Sequence, residues 1–146
     1  MIIPPKNLIR LIIIICILFH QNEVASQTKF TKLVWAEEFN YKGLPDSSKW
    51  NFAIVGHGWG NNELQSYTDK DTLNAKVENG FLKIIAIKQP KENRQYTSAR
   101  LHTKNNAEFK YCRIEARAKL PASVGTWPAI WMLGNNISKV HWPACG

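Results

Sequence analysis

The chain has 146 residues, 45% of them hydrophobic, enough for one small domain. Its formal charge of +8 comes from basic residues scattered along the chain, with no nucleic-acid motif among them, so the balance reads as solvated surface rather than a nucleic-acid partner. His57, His102 and His141 have no metal-ligand spacing and no paired Cys/His motif exists, which excludes a zinc site.

The N-terminus comes first. Lys6 and Arg10 precede a short apolar run over residues 11–19, and small residues follow at Ala25 and Ser26. This is the layout of a secretory signal peptide, residues 1–26, cleaved near Ser26–Gln27. The run is well short of the ~20 apolar residues that span a bilayer, so no membrane association is expected after cleavage. The mature part, residues 27–146, is expected to be extracytoplasmic and monomeric. It keeps Cys112 and Cys145, each in or beside a predicted strand, and sequence leaves a disulfide and two buried thiols equally open. Asn136-Ile137-Ser138 fits an N-glycosylation acceptor, which matters in a eukaryotic source.

After residue 26 helical signals are nearly absent, and short extended runs between turn residues predict an antiparallel all-β fold. Leu33, Val34, Trp35 and Phe39 open it as a short strand. LPDSSKW, residues 44–50, is a turn built on Pro45, Asp46 and two serines, and residues 51–55 return as a strand. GHGWGNNELQSYT, residues 56–68, lacks the G-x-G-x-x-G spacing of a dinucleotide site. Its alternate glycines predict a loop whose backbone closely approaches something else. Asn79-Gly80 predicts a type I′ hairpin with arms 75–78 and 81–88. The second arm is almost wholly apolar up to Ile87, which predicts burial on both faces inside a sheet. Residues 112–120 alternate perfectly, with Cys112, Ile114, Ala116, Ala118 and Leu120 facing one way and Arg113, Glu115, Arg117 and Lys119 the other. Phe109 and Tyr111 fall out of phase, so a bulge or turn is expected before Cys112. Pro121 ends that strand, and residues 127–133 read as a further buried one. There is no internal repeat, low-complexity tract or linker, so one β domain is expected.

Trp127, Trp131 and Trp142 crowd the last 22 residues. Tryptophan faces suit the apolar faces of sugar rings, and equally suit a protein core. The segments LVWAEEF, LPDSSKWNF, GHGWGNNELQSYT, VENGFLKI, YTSARL, FKYCRIEARAKLP, GTWPAIWML and WPACG resemble, in order, those of glycoside hydrolase family 16, the laminarinase-like endo-β-1,3-glucanases. The resemblance covers residues 33–146. It implies a β-jelly-roll (concanavalin-like) sandwich of two antiparallel sheets, with glucan across the concave face. It also implies retaining hydrolysis by two carboxylates about 5–5.5 Å apart, on a strand reading E-I-D-x-x-E after WPACG. No such strand occurs up to Gly146, so the sandwich is expected to be incomplete and the catalytic residues to lie immediately after Gly146.

No carboxylate in the chain substitutes for them. Glu37 and Glu38 are adjacent and face opposite ways in a strand, while Glu115 is flanked on its own face by Arg113 and Arg117 and reads as a surface ion pair. By resemblance, Trp127 and Trp142 face sugar in the cleft. Trp131 shares the parity of Trp127, with core packing the alternative. Arg100 offers a hydroxyl-binding fork or an ordinary ion pair. Asn61 and Asn62 suit sugar hydroxyls, which both donate and accept, or simply make turns. Glu63 binds substrate or braces its loop. No cofactor is implied; the full-length domain could hold a structural calcium ion, with Glu38 and Gly80 contributing part of its shell. The expected partner is β-glucan. The runner-up is a non-catalytic β-glucan-binding protein on the same fold, and a third reading keeps the scaffold alone.

Overall fold

The computed structural model describes residues 30–59 and 61–145. The chain divides into two units, Met1–Leu33 and Val34–Gly146. In the first, residues 30–33 are exposed and belong to no regular element, and the expected signal peptide lies outside the described residues. The second unit carries β1 (Asn51–Phe52), β2 (Gln65–Tyr67), β3 (Ala75–Glu78), β4 (Phe81–Ile84), β5 (Tyr96–Ser98), β6 (Leu101–His102) and one short helix, α1 (Ile137–Val140).

The expected first strand is absent. The Glu37 carboxylate accepts the Phe39 amide at 3.0 Å, and Phe39 takes a positive φ of 55°, so a local side-chain bond turns the chain where a ladder was expected. The aromatic residues pack instead. Trp35 meets Trp50 and Phe109 edge-on, with centroids 5.8 and 5.9 Å apart, and Phe39 stacks on Trp50 at 6.3 Å. Lys49 holds the strip from the side, 3.2 Å from Glu37 and donating to the Ala36 carbonyl at 2.9 Å.

The turn before β1 follows from Asp46. Its carboxylate accepts both the amide and the hydroxyl of Ser48, at 2.8 and 2.7 Å, and its carbonyl accepts the amides of Lys49 and Trp50. β1 then pairs antiparallel with β6, Asn51 opposite His102 and Phe52 opposite Leu101. The pairing runs on through Ala53 N–H to the Arg100 carbonyl at 2.9 Å, and Val55 O accepts from Tyr67 N at 2.8 Å. β2 and β5 are parallel, Gln65 opposite Tyr96, which departs from the expected antiparallel arrangement. A parallel pair needs a crossover of a dozen or more residues, and the β3–β4 hairpin lies within that connection.

The hairpin forms as expected, with Asn79 and Gly80 at φ 56° and 76°. β3 is its inner arm: Val77 exchanges both backbone bonds with Gly43, at 3.0 and 2.7 Å, and Ala75 and Val77 are buried. β4 corrects the expectation of burial on both faces, since Phe81 and Ile84 are about half exposed. Among the described residues β4 has a ladder partner on one side only.

Among the described residues the buried centre is as much polar as apolar, with Ala75, Val77 and Ala99 beside four polar side chains. Ser66, Thr68, Asn74 and Thr97 are buried. The Asn74 amide donates to the Ile85 carbonyl at 2.9 Å and to the Thr97 hydroxyl at 3.1 Å, while its oxygen accepts the Thr68 hydroxyl at 2.9 Å. One side chain thereby ties β5 and the end of β2 to the segment just after β4.

The later part differs from expectation. Residues 112–120 form no strand and are exposed, and residues 127–133 are neither a strand nor buried. Alternation makes a strand only where a neighbour takes up its N–H and C=O groups, and among the described residues none pairs with either segment. The expected break before Cys112 is present, with Tyr111 at φ 54°. Cys112 is exposed rather than buried and carries a free thiol, so it forms no bridge with the buried Cys145. Arg113 and Glu115 form the expected surface ion pair.

Candidate functional site

Glu63, Gln65 and Tyr67 are spaced by two at and just before β2, which sets their side chains on one face. Arg100 reaches the same place because the β1–β6 pairing holds its carbonyl against Ala53. The Glu63 carboxylate accepts from the Tyr67 hydroxyl at 2.7 Å, the Gln65 amide at 3.0 Å and the Asn61 amide at 3.5 Å. It lies 3.9 Å from Arg100 Nη1, with both side chains mostly buried. Gln65 also donates to the Tyr67 oxygen at 2.8 Å. Burial, and then the bond to Glu63, raise the Tyr67 phenol above its ordinary value of 10.0.

The Arg100 guanidinium is surrounded by rings. Its Cζ lies 3.9 Å from the Trp59 centroid, 4.9 Å from that of Trp131 and 5.8 Å from that of Tyr67. His57 lies nearly parallel to Trp59, at 6.1 Å and 14°. Trp59 is therefore bracketed, and its contribution is a wall rather than an open platform. Asn61 and Asn62 stand exposed at the loop tip, Asn62 with φ 57°.

Chemically this is a recognition surface. It combines ring faces, a fixed guanidinium fork and exposed amides that can both donate and accept. Glu63 is surrounded by donors, which fix its carboxylate in place as a brace for the loop and β2. Among the described residues no group of three or more His, Cys, Asp or Glu side chains is placed to hold a metal ion.

Residues 19–144 match the sequence model of a family described as beta-glucan synthesis-associated protein SKN1/KRE6/Sbg1. The chain is 51% identical over 117 residues to the beta-glucanase of Rhodothermus marinus, covering 79% of this chain and 41% of that protein. The catalytic domain of an endo-1,3-beta-glucanase (laminarinase) from Thermotoga petrophila superposes with a TM-score of 0.70 at 49% identity, over 78% of this chain and 48% of that one. The chain belongs to that family and, by these relatives, to the laminarinase-like family 16. Its fold is the family 16 jelly roll. A more distant relative is the beta-1,3-glucan-binding protein of Penaeus monodon, 31% identical over 158 aligned positions that cover 82% of this chain and 42% of that protein. The chain thus spans less than half the length of each of these three relatives.

Of the residues expected at the family 16 site, the structure gathers Asn61, Glu63, Arg100 and Trp131, with Asn62 beside them in the loop. It does not bring in Trp127 and Trp142, which are each 74% exposed and make no ring contact among the described residues. Trp59, Gln65 and Tyr67 belong to the cluster and were not singled out in the sequence. The signal for Gln65 and Tyr67 was the period of two from Glu63, hidden because the whole stretch read as a loop. For Trp59, stacking on a residue 41 positions away left no local signal.

Proposed function

We propose that these residues form the glucan-holding part of an exported endo-β-1,3-glucanase that cleaves β-1,3 or mixed β-1,3/1,4 glucan with retention of configuration. The observation that carries this is the Arg100 fork fixed between Trp59 and Trp131, beside the Asn61–Glu63–Gln65–Tyr67 network. Pyranose rings present an apolar face and a hydroxyl rim, and such a site offers ring edges and amides to both. The names of the relatives add weight, since the beta-glucanase, the laminarinase and the glucan-binding protein are all described by β-glucan. Hydrolysis also needs a carboxylate pair about 5–5.5 Å apart. The described residues offer none suited to it, so their part is recognition.

Electrophoresis through gels containing laminarin, barley mixed-linkage glucan or soluble cellulose derivative tests the reading. The protein should be retarded by the first two and not by the third. Equal mobility in all gels would overturn it. A second reading, a non-catalytic β-glucan-binding protein, is favoured by the Penaeus relative. Retardation by laminarin without release of reducing ends from the whole protein would select that one.

A further inference from the structure

The glycine-rich loop of residues 56–63 carries Trp59, Asn61 and Glu63 into the site, and its alternate glycines required a close neighbour. That neighbour is the tight turn before β5. Lys91 and Arg94 exchange both backbone bonds, at 2.9 and 3.0 Å, with Glu92 at φ 53°. The turn presents two side chains to the loop. Arg94 Nε donates to the Gly56 carbonyl at 2.6 Å. A Cβ on Gly58 would stand 3.2 Å from Arg94 Nη2, and a Cβ on Gly56 only 2.8 Å from Glu92 Oε2 and 3.1 Å from the Ser66 hydroxyl. Gly58 takes a φ of 86°, which favours glycine, and the tips of Glu92 and Arg94 lie close over the backbone at both positions. Within the loop, the Gly58 carbonyl accepts the amides of Asn61 and Glu63, at 2.9 and 3.2 Å. The position of Gly58 therefore sets the start of the segment that supports Trp59 against Arg100.

We infer that Arg94 is a positioning residue for the glucan site: through its bond to the Gly56 carbonyl it fixes the loop that sets the Trp59–Arg100–Glu63 group, without touching the sugar itself. This rests on the glucan-binding reading. A charge-assisted bond to a part-buried carbonyl is stronger than a neutral one, and a loop with three glycines has more backbone freedom to regain once released. Arg94→Ala should loosen the loop while leaving the β3–β4 hairpin intact.

The test uses the full chain and its Arg94→Ala and Arg94→Lys variants, with two readouts. Binding of a β-1,3-linked glucose tetramer, followed by tryptophan fluorescence, should weaken about tenfold in Arg94→Ala, the effect of losing one bond to a charged donor. Arg94→Lys, which keeps the charge and one donor at the carbonyl, should recover part of that loss. Amide hydrogen exchange should speed up over residues 57–63 in Arg94→Ala, with the hairpin amides of residues 75–84 unchanged. If the tetramer binds the natural chain and Arg94→Ala equally, or if exchange rises uniformly, Arg94 is merely structural and the inference falls. If the natural chain does not bind the tetramer, the glucan reading falls, and the clasp stands or falls on the local exchange pattern alone. Should Arg94→Ala not fold, Arg94→Lys is judged on the same two readouts.

Discussion

Trp59 and Trp127 are the same side chain in similar settings, each close after a glycine with positive φ, and they meet opposite fates. Trp59 is in contact with both a guanidinium and an imidazole on a loop whose backbone is bonded at several points. Trp127 follows the left-handed Gly125 in a segment without ladder partners and stays 74% exposed. Residue type and a preceding left-handed glycine are shared, so neither decides burial. What decides it is whether neighbouring backbone is pinned by residues distant in sequence: Arg94 at Gly56 and Arg100 at Ala53.

The comparison can be broken most forcefully at the polar centre that pins the first region. Asn74→Ala would leave the Ile85 carbonyl and the Thr68 and Thr97 hydroxyls without that partner in a buried place. It should cost about 3 kcal/mol, read by urea unfolding of the full chain; a loss under about 1 kcal/mol would show the centre to be dispensable. Next comes Trp59→Ala against Trp127→Ala. Removing a bracketed ring should cost about 2 kcal/mol, whereas removing the exposed one should stay within about 0.5 kcal/mol. Acrylamide quenching sharpens the same contrast, since fluorescence lost in Trp127→Ala should come from the readily quenched fraction and that lost in Trp59→Ala from the protected one.

The smallest effect expected is a pH dependence at β6. Burial, and then the nearby Lys104 and Arg100 charges, hold the His102 imidazole below its ordinary value of 6.5. The folded state therefore favours the neutral ring. That contribution is fully present above pH 6.5 and is lost as pH falls through the lowered folded value. Unfolding midpoints at pH 7.5 and pH 5 should differ more for the natural chain than for His102→Asn (pH values chosen about one unit or more either side of the ordinary one). Equal differences would place the pH response elsewhere.

Much of this fold was legible wherever the cause is local. Asn79-Gly80 needs positive φ at both central residues, and Asp46 with Ser48 closes its own turn; both are as the residues demand. The order of family segments from residue 33 onward was readable for the same reason that it is shared. Illegible were features set by partners. Perfect alternation over residues 112–120 states which face would be buried in a strand, and says nothing of whether a neighbour is there to pair with it. Gly56 and Gly58 declared that something lies close by, but Arg94, 38 residues from Gly56, could not be identified from composition or spacing. The site was half legible: Glu63 and Arg100 carried family signals, while Gln65 and Tyr67 required recognising a short strand inside a glycine-rich stretch.

The buried group of Ser66, Thr68, Asn74 and Thr97 has a thermal consequence. Exposure of apolar surface raises the heat capacity on unfolding, and exposure of polar surface lowers it. This group of hydroxyls and an amide therefore adds little to the heat-capacity increment. Its share of the stability changes only slowly with temperature, because the hydration that bends the stability curve is not what holds these strands together. Cooling, which weakens the hold of apolar cores, should leave this part of the molecule nearly unaffected.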